Sequence, residues 1–436
     1  TLSFRETQQI FKHKTTGELL RAYAVFGVSQ LQWIVRHSDR LLKAAYVFPG
    51  ETATNALLRA SFFGHFCAGE NANEIKPVLE KLDHAGIGGI LDYAAEADVE
   101  HPRDLSGVSQ NLVSARTYDY EDESTCDANA AIARQAIIDA GTTKAPGEPA
   151  FAAIKCTALG KPELLMRMSS IIVQAHLLFT TLDGPNLSRA KSQYLKKLAM
   201  DVSQDGVIDY VDWMGVKLMV DAEQTYMQPG IDHLVLNLQR KYNRDKKDVI
   251  YNTFQCYLKI SGDRIDIDLE RARREQFQFA CKLVRGAYMV QERKRAKDRG
   301  YSDPIHNGID ATHANYDAQV EKLLRNNAIA SFMVASHNED SVKKTVRLMD
   351  ELAIDRRRGG VYFGQLLGMC DNVSYTLGAH AYRVFKYVPY GPIKEVLPYL
   401  VRRAQENSGL MSNATKEMDL IKQEVVRRVV GGGRSS

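Results

Sequence analysis

The chain has 436 residues, 44% of them hydrophobic, and a formal net charge of +4. This length suits one large domain with extensions, or two or three ordinary domains. Basic residues are interleaved with acidic ones instead of forming a positive stripe, which argues against a nucleic-acid-binding protein.

Apolar runs and cysteines exclude two further classes. No run approaches the roughly 18 consecutive apolar residues that a membrane span needs, so we expect a soluble or peripheral protein. The six cysteines are far apart and form no Cys-x-x-Cys pair, which favours reduced, buried thiols over a disulfide framework. They are Cys67, Cys126, Cys156, Cys256, Cys281 and Cys370.

The chain begins with helical patterns, which then give way to short apolar runs of the kind that form strands. Residues 1–85 carry apolar residues at three- and four-residue spacing, which predicts an N-terminal helical arm. After the arm, short apolar runs alternate with longer amphipathic stretches. The runs lie at 89–94, 151–158, 216–222, 249–255, 279–286, 331–337, 361–367 and 383–389. Eight βαβ-type repeats in about 300 residues predict a closed (β/α)₈ barrel. An open doubly wound sheet is the alternative, but no Gly-x-Gly-x-x-Gly opens a helix.

The predicted barrel occupies residues 86–408, and polar side chains mark its strand ends. Residues 104–150 and 184–215 are predicted insertions, and 409–436 is predicted to be a C-terminal helix with a glycine-rich tail. Strand C-termini form the catalytic face of such barrels. The polar residues at or near those ends are Asp92, Glu96, Lys155, Asp221, Glu223, Gln255, Lys282, Arg285, His337, Gln365 and Tyr387. Any one of them could simply be a charged or polar residue of the kind that commonly ends a strand. Their occurrence at or near the ends of nearly all the predicted strands predicts an active site.

One helix after the last strand carries a cluster of charges. Tyr399, Arg402, Arg403 and Glu406 are spaced i, i+3, i+4 and i+7, which puts them on one face. Two neighbouring guanidinium groups suit bidentate binding of a carboxylate. The alternative is a solvated face on which Arg402 pairs with Glu406.

At these residues a family resemblance emerges. The sequence YLVRRAQEN at 399–407, preceded by YVPYG at 387–391, resembles the signature of the FAD-dependent proline dehydrogenase (proline oxidase) family. LMVDAEQ at 218–224, LVRGAY at 283–288 with Glu292, and ASHNED at 335–340 followed by GQLLGM at 364–369 resemble the same family in the same order. The similarity covers about 86–408 and is closest to the mitochondrial eukaryotic branch.

The resemblance implies a set of substrate-binding residues. Lys155, Arg402 and Arg403 would bind the carboxylate of proline, and Glu96 would be a gate that pairs with Arg402 across the barrel mouth. The residues that would shape the pocket around the ring are Asp221, Tyr288, Leu367, Tyr387 and Tyr399. Three cations suit a carboxylate, and aromatic and aliphatic walls suit the ring methylenes.

The resemblance also implies the cofactor and the reaction. FAD would be bound by Gln255, Lys282, Arg285, Gly286, Ala287, His337, Asn338, Gln365 and Glu406. Hydride would pass from the proline ring to the flavin, giving 1-pyrroline-5-carboxylate, and the electrons would continue to a quinone. Asp221 and water are both candidates for the proton of the amine. A mitochondrial location, on the matrix side of the inner membrane with a peripheral membrane contact, follows from the same resemblance.

Residues 201–212 match the loop of an EF-hand. Asp201, Ser203, Asp205, the Val207 carbonyl, Asp209 and Asp212 stand at positions 1, 3, 5, 7, 9 and 12, with Gly206 at position 6. The match predicts a Ca²⁺ or Mg²⁺ site in an insertion at about 187–215. However, position 12 is aspartate instead of glutamate, and little room is left for an exit helix, so a vestigial acidic turn is the alternative.

Three other functions are alternatives to this reaction. A Schiff-base aldolase using Lys155 would leave Lys282, Arg285, Gln255 and His337 unexplained. A non-enzymatic calcium-binding scaffold would show no turnover. A hydroxyproline dehydrogenase is the nearest rival, since such paralogues carry serine in place of Tyr387; the larger tyrosine favours proline.

Overall fold

The computed structural model describes residues 2–94, 98–99, 115–116, 123–144, 148–181, 214–409 and 411–431. Eight parallel strands close into a barrel in the order β1-β8-β7-β6-β5-β4-β3-β2. The strands are β1 (Ile87–Tyr93), β2 (Ala150–Ile154), β3 (Val216–Val220), β4 (Ile250–Gln255), β5 (Phe279–Val284), β6 (Ala330–Ala335), β7 (Val361–Leu366) and β8 (Val384–Tyr390). Each predicted apolar run overlaps one strand, so the predicted barrel is confirmed and the open sheet is excluded. Asp98–Val99 and Ala115–Arg116 pair antiparallel outside the barrel.

Helices precede, alternate with and follow the strands. They are α1 (Thr7–Ile10), α2 (Thr16–Gln30), α3 (Gln32–Arg36), α4 (Ser38–Val47), α5 (Glu51–Ala60), α6 (Phe62–Phe66), α7 (Ala72–Asp83), α8 (Glu123–Thr143), α9 (Pro162–Thr181), α10 (Gln228–Tyr242), α11 (Ser261–Glu275), α12 (Met289–Arg299), α13 (Ile309–Arg325), α14 (Glu339–Glu351), α15 (Asp371–Ala379), α16 (Ile393–Gly409) and α17 (Met411–Gly431). No helix within the described ranges is long and apolar enough to span a membrane.

Aromatic side chains fill the barrel interior. The ring of Phe151 meets those of Tyr251, Tyr362 and Phe385 edge to face, with centroids 5.5, 5.2 and 4.8 Å away. Such edge-to-face packing favours a solid core. The interior is therefore packed with side chains, as is usual for barrels of this size, and the chemistry is left to the strand C-termini.

The N-terminal helices contact the barrel through α7, which packs on β1, and through α1, which packs on α15. A capping box starts α2: the Thr15 hydroxyl accepts from the Glu18 N–H at 3.2 Å, and the Glu18 carboxylate accepts from the Thr15 N–H at 2.7 Å. Beyond α6, the Ala68 N–H donates to the carbonyl of Pro389 in β8 at 3.0 Å. The arm thus borders the C-terminal end of the barrel.

The structure revises one of the predicted segments and agrees with the predicted C-terminal helix. Part of the predicted insertion 104–150 is the barrel helix α8, whose buried Ala136, Ile137 and Ala140 belong to the main core. The alanine-rich sequence of this helix gives a weak periodic signal, so the sequence alone does not distinguish it from an insertion. The C-terminal helix extends over Met411–Gly431. Glu96 and the EF-hand-like loop 201–212 lie outside the described residues.

Candidate active site

The C-terminal ends of the strands bring together the polar residues that the sequence singled out. The carboxylate of Asp221, which directly follows β3, and the ammonium of Lys282 on β5 form an ion pair. The Tyr387 hydroxyl donates to Oδ2 of Asp221 at 2.9 Å, and the ammonium of Lys282 lies 5.3 Å from the centroid of the Tyr387 ring. Lys155, after β2, has its Nζ 3.9 Å from Oδ1 of Asp92 on β1.

Electrostatics fix the protonation of this group. Burial alone would raise the pKa of Asp221, but the charges of Lys282 and Lys155 and the hydrogen bonds from Lys282 and Tyr387 bring it below its ordinary value. Burial, together with the charges of Asp221 and Asp92, raises the pKa of Tyr387 well above its ordinary value. Asp221 is therefore an ionised acceptor and Tyr387 a neutral donor at physiological pH.

Two of the predicted pocket residues follow β7 and β5 at the C-terminal end of the barrel. The Leu367 N–H donates to the Tyr387 carbonyl at 2.9 Å, so these two predicted pocket residues are neighbours. Tyr288, the residue before α12, is buried. Gly286 has φ +142°, and a Cβ there would lie 2.0 Å from the Tyr257 ring. Only glycine fits that position.

Amide side chains link the strands that carry the predicted flavin residues. The Gln255 side chain donates to the Glu223 carbonyl at 2.8 Å and accepts from the Ala287 N–H at 3.3 Å. The Gln365 side chain donates to the Ser336 carbonyl at 3.1 Å. These bonds hold the ends of β3 to β7 in fixed positions.

Arg285 braces the edge between β5 and β6. Its Nε donates to Nδ1 of His313 at 2.8 Å, Nη1 to Oγ of Ser336 at 2.7 Å and Nη2 to Oγ of Ser341 at 2.9 Å. Its guanidinium carbon lies 4.2 Å from the centroid of the Tyr316 ring. All three nitrogens thus have acceptors within the protein, which the sequence could not indicate.

His337 and Asn338 follow β6. Burial, with the charges of Lys386, Arg403 and Arg285, lowers the pKa of His337 to about 3, so the imidazole is neutral. Its Nε2 accepts from the Leu366 N–H at 3.0 Å, which assigns the proton to Nδ1. The Asn338 side chain caps α14 by accepting from the Ser341 N–H at 3.0 Å.

The arginine cluster lies on α16, as the spacing predicted. The Arg403 and Arg402 guanidinium carbons are 4.8 and 6.0 Å from the centroid of the Tyr399 ring. Nη2 of Arg403 donates to Oε1 of Glu406 at 2.7 Å, and Arg403 is only 5% exposed. The buried Tyr399 hydroxyl has no hydrogen-bond partner within the described ranges. An unsatisfied buried hydroxyl is the feature expected of a group that contacts a ligand.

Glu223, two residues after Asp221, is a buried carboxyl group with a pKa near neutrality. It is fully buried and accepts from the Thr157 N–H and hydroxyl at 3.1 and 2.8 Å. Burial raises its pKa to about 7 despite those hydrogen bonds. Since an unfolded glutamate titrates near about 4.3, the stability contributed by its protonated form is lost as pH rises through 7.

We therefore expect Glu223→Gln to show a smaller fall in melting temperature than the wild type from about pH 5 to about pH 8. Over this pH range the wild type should lose on the order of 3 kcal/mol more free energy of unfolding than Glu223→Gln. Thermal melts across this range measure it, with the exposed Glu80→Gln as control. Equal pH slopes for Glu223→Gln and the wild type would contradict the titration.

Comparison with known proteins decides the family. The model of the family described as proline dehydrogenase matches residues 75–416. This chain belongs to the proline dehydrogenase family. The family match covers the barrel, α16 and most of the residues described above, which is consistent with the signature read from the sequence.

Relatives agree over nearly the whole chain. It is 34% identical to proline dehydrogenase 1, mitochondrial, of Drosophila melanogaster and of Homo sapiens, covering 99% of this chain and 81% and 90% of those proteins. It is 33% identical to hydroxyproline dehydrogenase of Xenopus laevis, covering 96% of this chain and 89% of that protein. The Drosophila alignment spans 554 positions, so that relative carries segments that this chain lacks.

Solved structures share the fold. Proline utilization A (PutA) of Bdellovibrio bacteriovorus, inactivated by N-propargylglycine, has a TM-score of 0.63 at 19% identity, covering 92% of this chain and 38% of that one. PutA of Bradyrhizobium japonicum, mutant D779W, has a TM-score of 0.60 at 17% identity, covering 97% of this chain and 44% of that one. This chain therefore spans about two fifths of the length of these structures.

Proposed function

We propose that the chain oxidises L-proline to 1-pyrroline-5-carboxylate with bound FAD and passes the electrons to a quinone. Membership of the proline dehydrogenase family makes it a flavin-dependent proline oxidoreductase. The observation that carries the proposal further is that two sets of polar residues are on consecutive elements of the chain. Arg402, Arg403 and Tyr399 lie on one helix, and that helix follows the strand whose Tyr387 bonds Asp221.

Proline is a zwitterion, and the proposal assigns its carboxylate and its ring to different side chains. In the proposal Arg402, Arg403 and Lys155 bind the carboxylate, because fixed cations suit that charge. Tyr387, Leu367, Tyr288 and Tyr399 surround the ring. Closure by Glu96 over Arg402 remains part of the proposal, since Glu96 lies outside the described residues.

The residues at the strand ends fit FAD. Lys282 and Arg285 supply positive charge, Gln255 and Gln365 supply amide groups, and Gly286 supplies a backbone without a side chain. The groups that would hold the cofactor are Gln255, Lys282, Arg285, Gly286, Ala287, His337, Asn338, Gln365 and Glu406. When bound, the flavin accepts the hydride. In the proposal, the Arg285 contacts to His313 and the two serines set the rigid edge on which the cofactor lies.

The proton of the amine is assigned to water instead of Asp221. A carboxylate with a lowered pKa is a weak base. Asp221 is also engaged by Lys282 and Tyr387. Its role in the proposal is therefore to hold those two side chains and to face the positive end of the substrate, while the amine loses its proton to solvent.

A direct test is turnover of proline by the flavin-loaded chain with a soluble quinone, followed by mass spectrometry of the product. We expect a product that has lost two hydrogen atoms. A cleaved carbon skeleton, or trapping of substrate on Lys155 by borohydride, would support the aldolase instead.

Proline, not hydroxyproline, is the proposed substrate. The chain is a third identical to both kinds of relative, but over a longer alignment for proline dehydrogenase 1, so more of its residues match that protein. We expect Tyr387→Ser to raise the ratio of kcat/KM for trans-4-hydroxyproline over proline about tenfold, a gain of about 1.4 kcal/mol. Both rates should fall, because Asp221 loses the Tyr387 donor.

Tyr387→Phe is the matched control for that substitution. It removes the same hydroxyl but keeps the ring, so its substrate ratio should stay near that of the wild type. If Tyr387→Ser leaves the ratio unchanged as well, Tyr387 does not determine the choice of ring substituent.

The proposed location is mitochondrial, on the matrix side of the inner membrane. Relatives from four animals carry the word mitochondrial in their names, which supports the organelle. A quinone acceptor dissolved in the bilayer would require a peripheral membrane contact. Both the quinone and the contact are parts of the proposal that follow from the family resemblance.

A Ca²⁺ or Mg²⁺ site at Asp201, Ser203, Asp205, Val207, Asp209 and Asp212 is proposed from the loop sequence alone. Four or more carboxylates close together favour a hard cation with oxygen ligands. We expect calcium to raise the melting temperature of the wild type but not of Asp201→Ala, with modest affinity because Asp212 is shorter than glutamate. Calorimetric titration measures it. Absence of heat and of a melting shift at millimolar calcium would leave an acidic turn.

A further inference from the structure

A cluster of buried charges lies outside the substrate pocket, around the loop that follows β7. Lys386 of β8 is fully buried and forms an ion pair with Oδ1 of Asp371 at 2.8 Å. The other oxygen of Asp371 pairs with Lys14 of the N-terminal arm. Glu417 of α17, also buried, completes the cluster. Four parts of the chain therefore contribute an ionisable group to one interior region.

The ammonium of Lys386 binds carbonyl groups of the loop 367–370 and of the residue that precedes it. Besides Asp371, Nζ donates to the carbonyl of Met369 at 2.6 Å and to that of Leu366 at 3.2 Å. An ammonium has three donors, so the three acceptors satisfy it. A buried lysine is otherwise costly, and these bonds account for its presence in an apolar strand.

Glu417 holds the other end of the same loop by its N–H groups. Its two carboxylate oxygens accept from the N–H of Cys370 at 2.9 Å and from that of Asp371 at 3.0 Å. These N–H groups are at the start of α15, where a carboxylate is favourable. The loop is thus held by an ammonium group from the barrel and by a carboxyl group from the C-terminal helix, whose pKa is raised to about 7 by burial and by the charge of Asp371.

The backbone of this loop depends on such support. Gly368 and Cys370 have φ values of +75° and +55°, and left-handed backbone at a non-glycine residue is strained. A Cβ on Gly368 would lie 2.4 Å from the carbonyl of His65 in the arm, so the arm packs directly on the loop.

The loop also contacts the candidate site. Leu367, a predicted wall of the pocket, donates to the carbonyl of Tyr387 at 2.9 Å. Leu366 donates to His337, a predicted flavin neighbour, at 3.0 Å. Cys370 donates from its thiol to the His337 carbonyl at 3.4 Å. A shift of the loop would therefore move both Leu367 and His337.

We propose that Lys386, Asp371 and Glu417 are positioning residues, which fix the loop 367–370 and thereby place Leu367 against the substrate ring and His337 beside the flavin. The inference rests on the proposed function for its kinetic consequences. It assigns the arm and the C-terminal helix a part in the active site, because Lys14 and Glu417 belong to them.

The test compares Lys386→Met and Glu417→Gln in the flavin-loaded full chain. Methionine removes all three donors of the lysine, and glutamine replaces one acceptor oxygen with a donor that faces an N–H. We expect each variant to raise KM for proline about tenfold, to change the visible circular dichroism of the flavin, and to speed hydrogen exchange at residues 366–371. Glu417→Gln keeps the side-chain volume and carries the test if Lys386→Met does not fold.

Glu424→Gln is the matched control. Glu424 is likewise a buried glutamate of α17, but it pairs with Arg427 and Arg428 instead of the loop. We expect this variant to lower the melting temperature without changing KM, the flavin signal or exchange at 366–371. The proposal is overturned if Glu417→Gln behaves like Glu424→Gln. Failure of the wild type to oxidise proline would refute the proposed function instead, while hydrogen exchange would still report on the loop.

Discussion

Replacing Arg403 with methionine is expected to raise KM for proline by about tenfold to 100-fold. In the proposal, the substitution removes a charge-assisted hydrogen bond to the substrate carboxylate, worth about 1.5–3 kcal/mol. Arg403 is nearly buried against Tyr399, so solvent screens its charge little. Its partner Glu406 is one-third exposed and can be hydrated after the change, so the fold should survive. Arg402→Met should act in the same direction.

Steady-state kinetics over a range of proline concentrations measure this effect, with flavin content recorded for each variant. Arg325→Met is the control, because Arg325 forms a comparable ion pair with Glu321 on the surface of α13. It should leave KM unchanged. An unchanged KM in both Arg402→Met and Arg403→Met would remove these arginines from substrate binding.

Lys282→Met is expected to have the largest effect on the folded enzyme. It breaks the buried pair with Asp221 and leaves that carboxylate with fewer partners, which typically costs about 3–5 kcal/mol. The change also removes the cation near the Tyr387 ring and, in the proposal, a flavin-binding group. We therefore expect lower stability, reduced flavin content and a large loss of kcat/KM together.

A double-mutant cycle with Asp221→Asn separates the pair from its members. The two groups contact each other. The sum of the losses in free energy of unfolding for the two single variants should therefore exceed the loss for the double variant. Chemical denaturation of the four proteins gives these values. Additive losses would show that the pair is not coupled.

Lys217→Met is the matched control for Lys282→Met. Lys217 forms a partly buried ion pair with Asp248 near the N-terminal end of β3, away from the strand C-termini. It should lower stability while leaving flavin content and KM near those of the wild type. The comparison separates loss of a buried charge pair from loss of a group in the active site.

The barrel could be predicted because its strands are buried on both faces. Runs such as Phe279–Val284 are almost wholly apolar, and that composition is typical of parallel strands covered by helices. The spacing on α16 was equally clear, since i, i+3 and i+4 positions share a face whatever surrounds them. Helix α8 could not be predicted, because its alanine-rich sequence carries little periodic contrast.

The contacts within the site depend on tertiary packing and could not be read from the sequence. The three acceptors of Arg285 come from α13, from the end of β6 and from α14, which are far apart along the chain. Lys386 did leave a signal, as a lysine inside the apolar run of β8. That signal does not reveal that Asp371 and two carbonyl groups surround it.

The central claim is that this chain removes hydride from proline with a bound flavin. An absorbance spectrum of the purified, flavin-loaded protein, recorded without oxygen before and after addition of proline, tests it most directly. We predict that the oxidised flavin bands bleach on addition of proline and return when a quinone is added. A protein that retains flavin but keeps its oxidised spectrum at saturating proline would contradict the account.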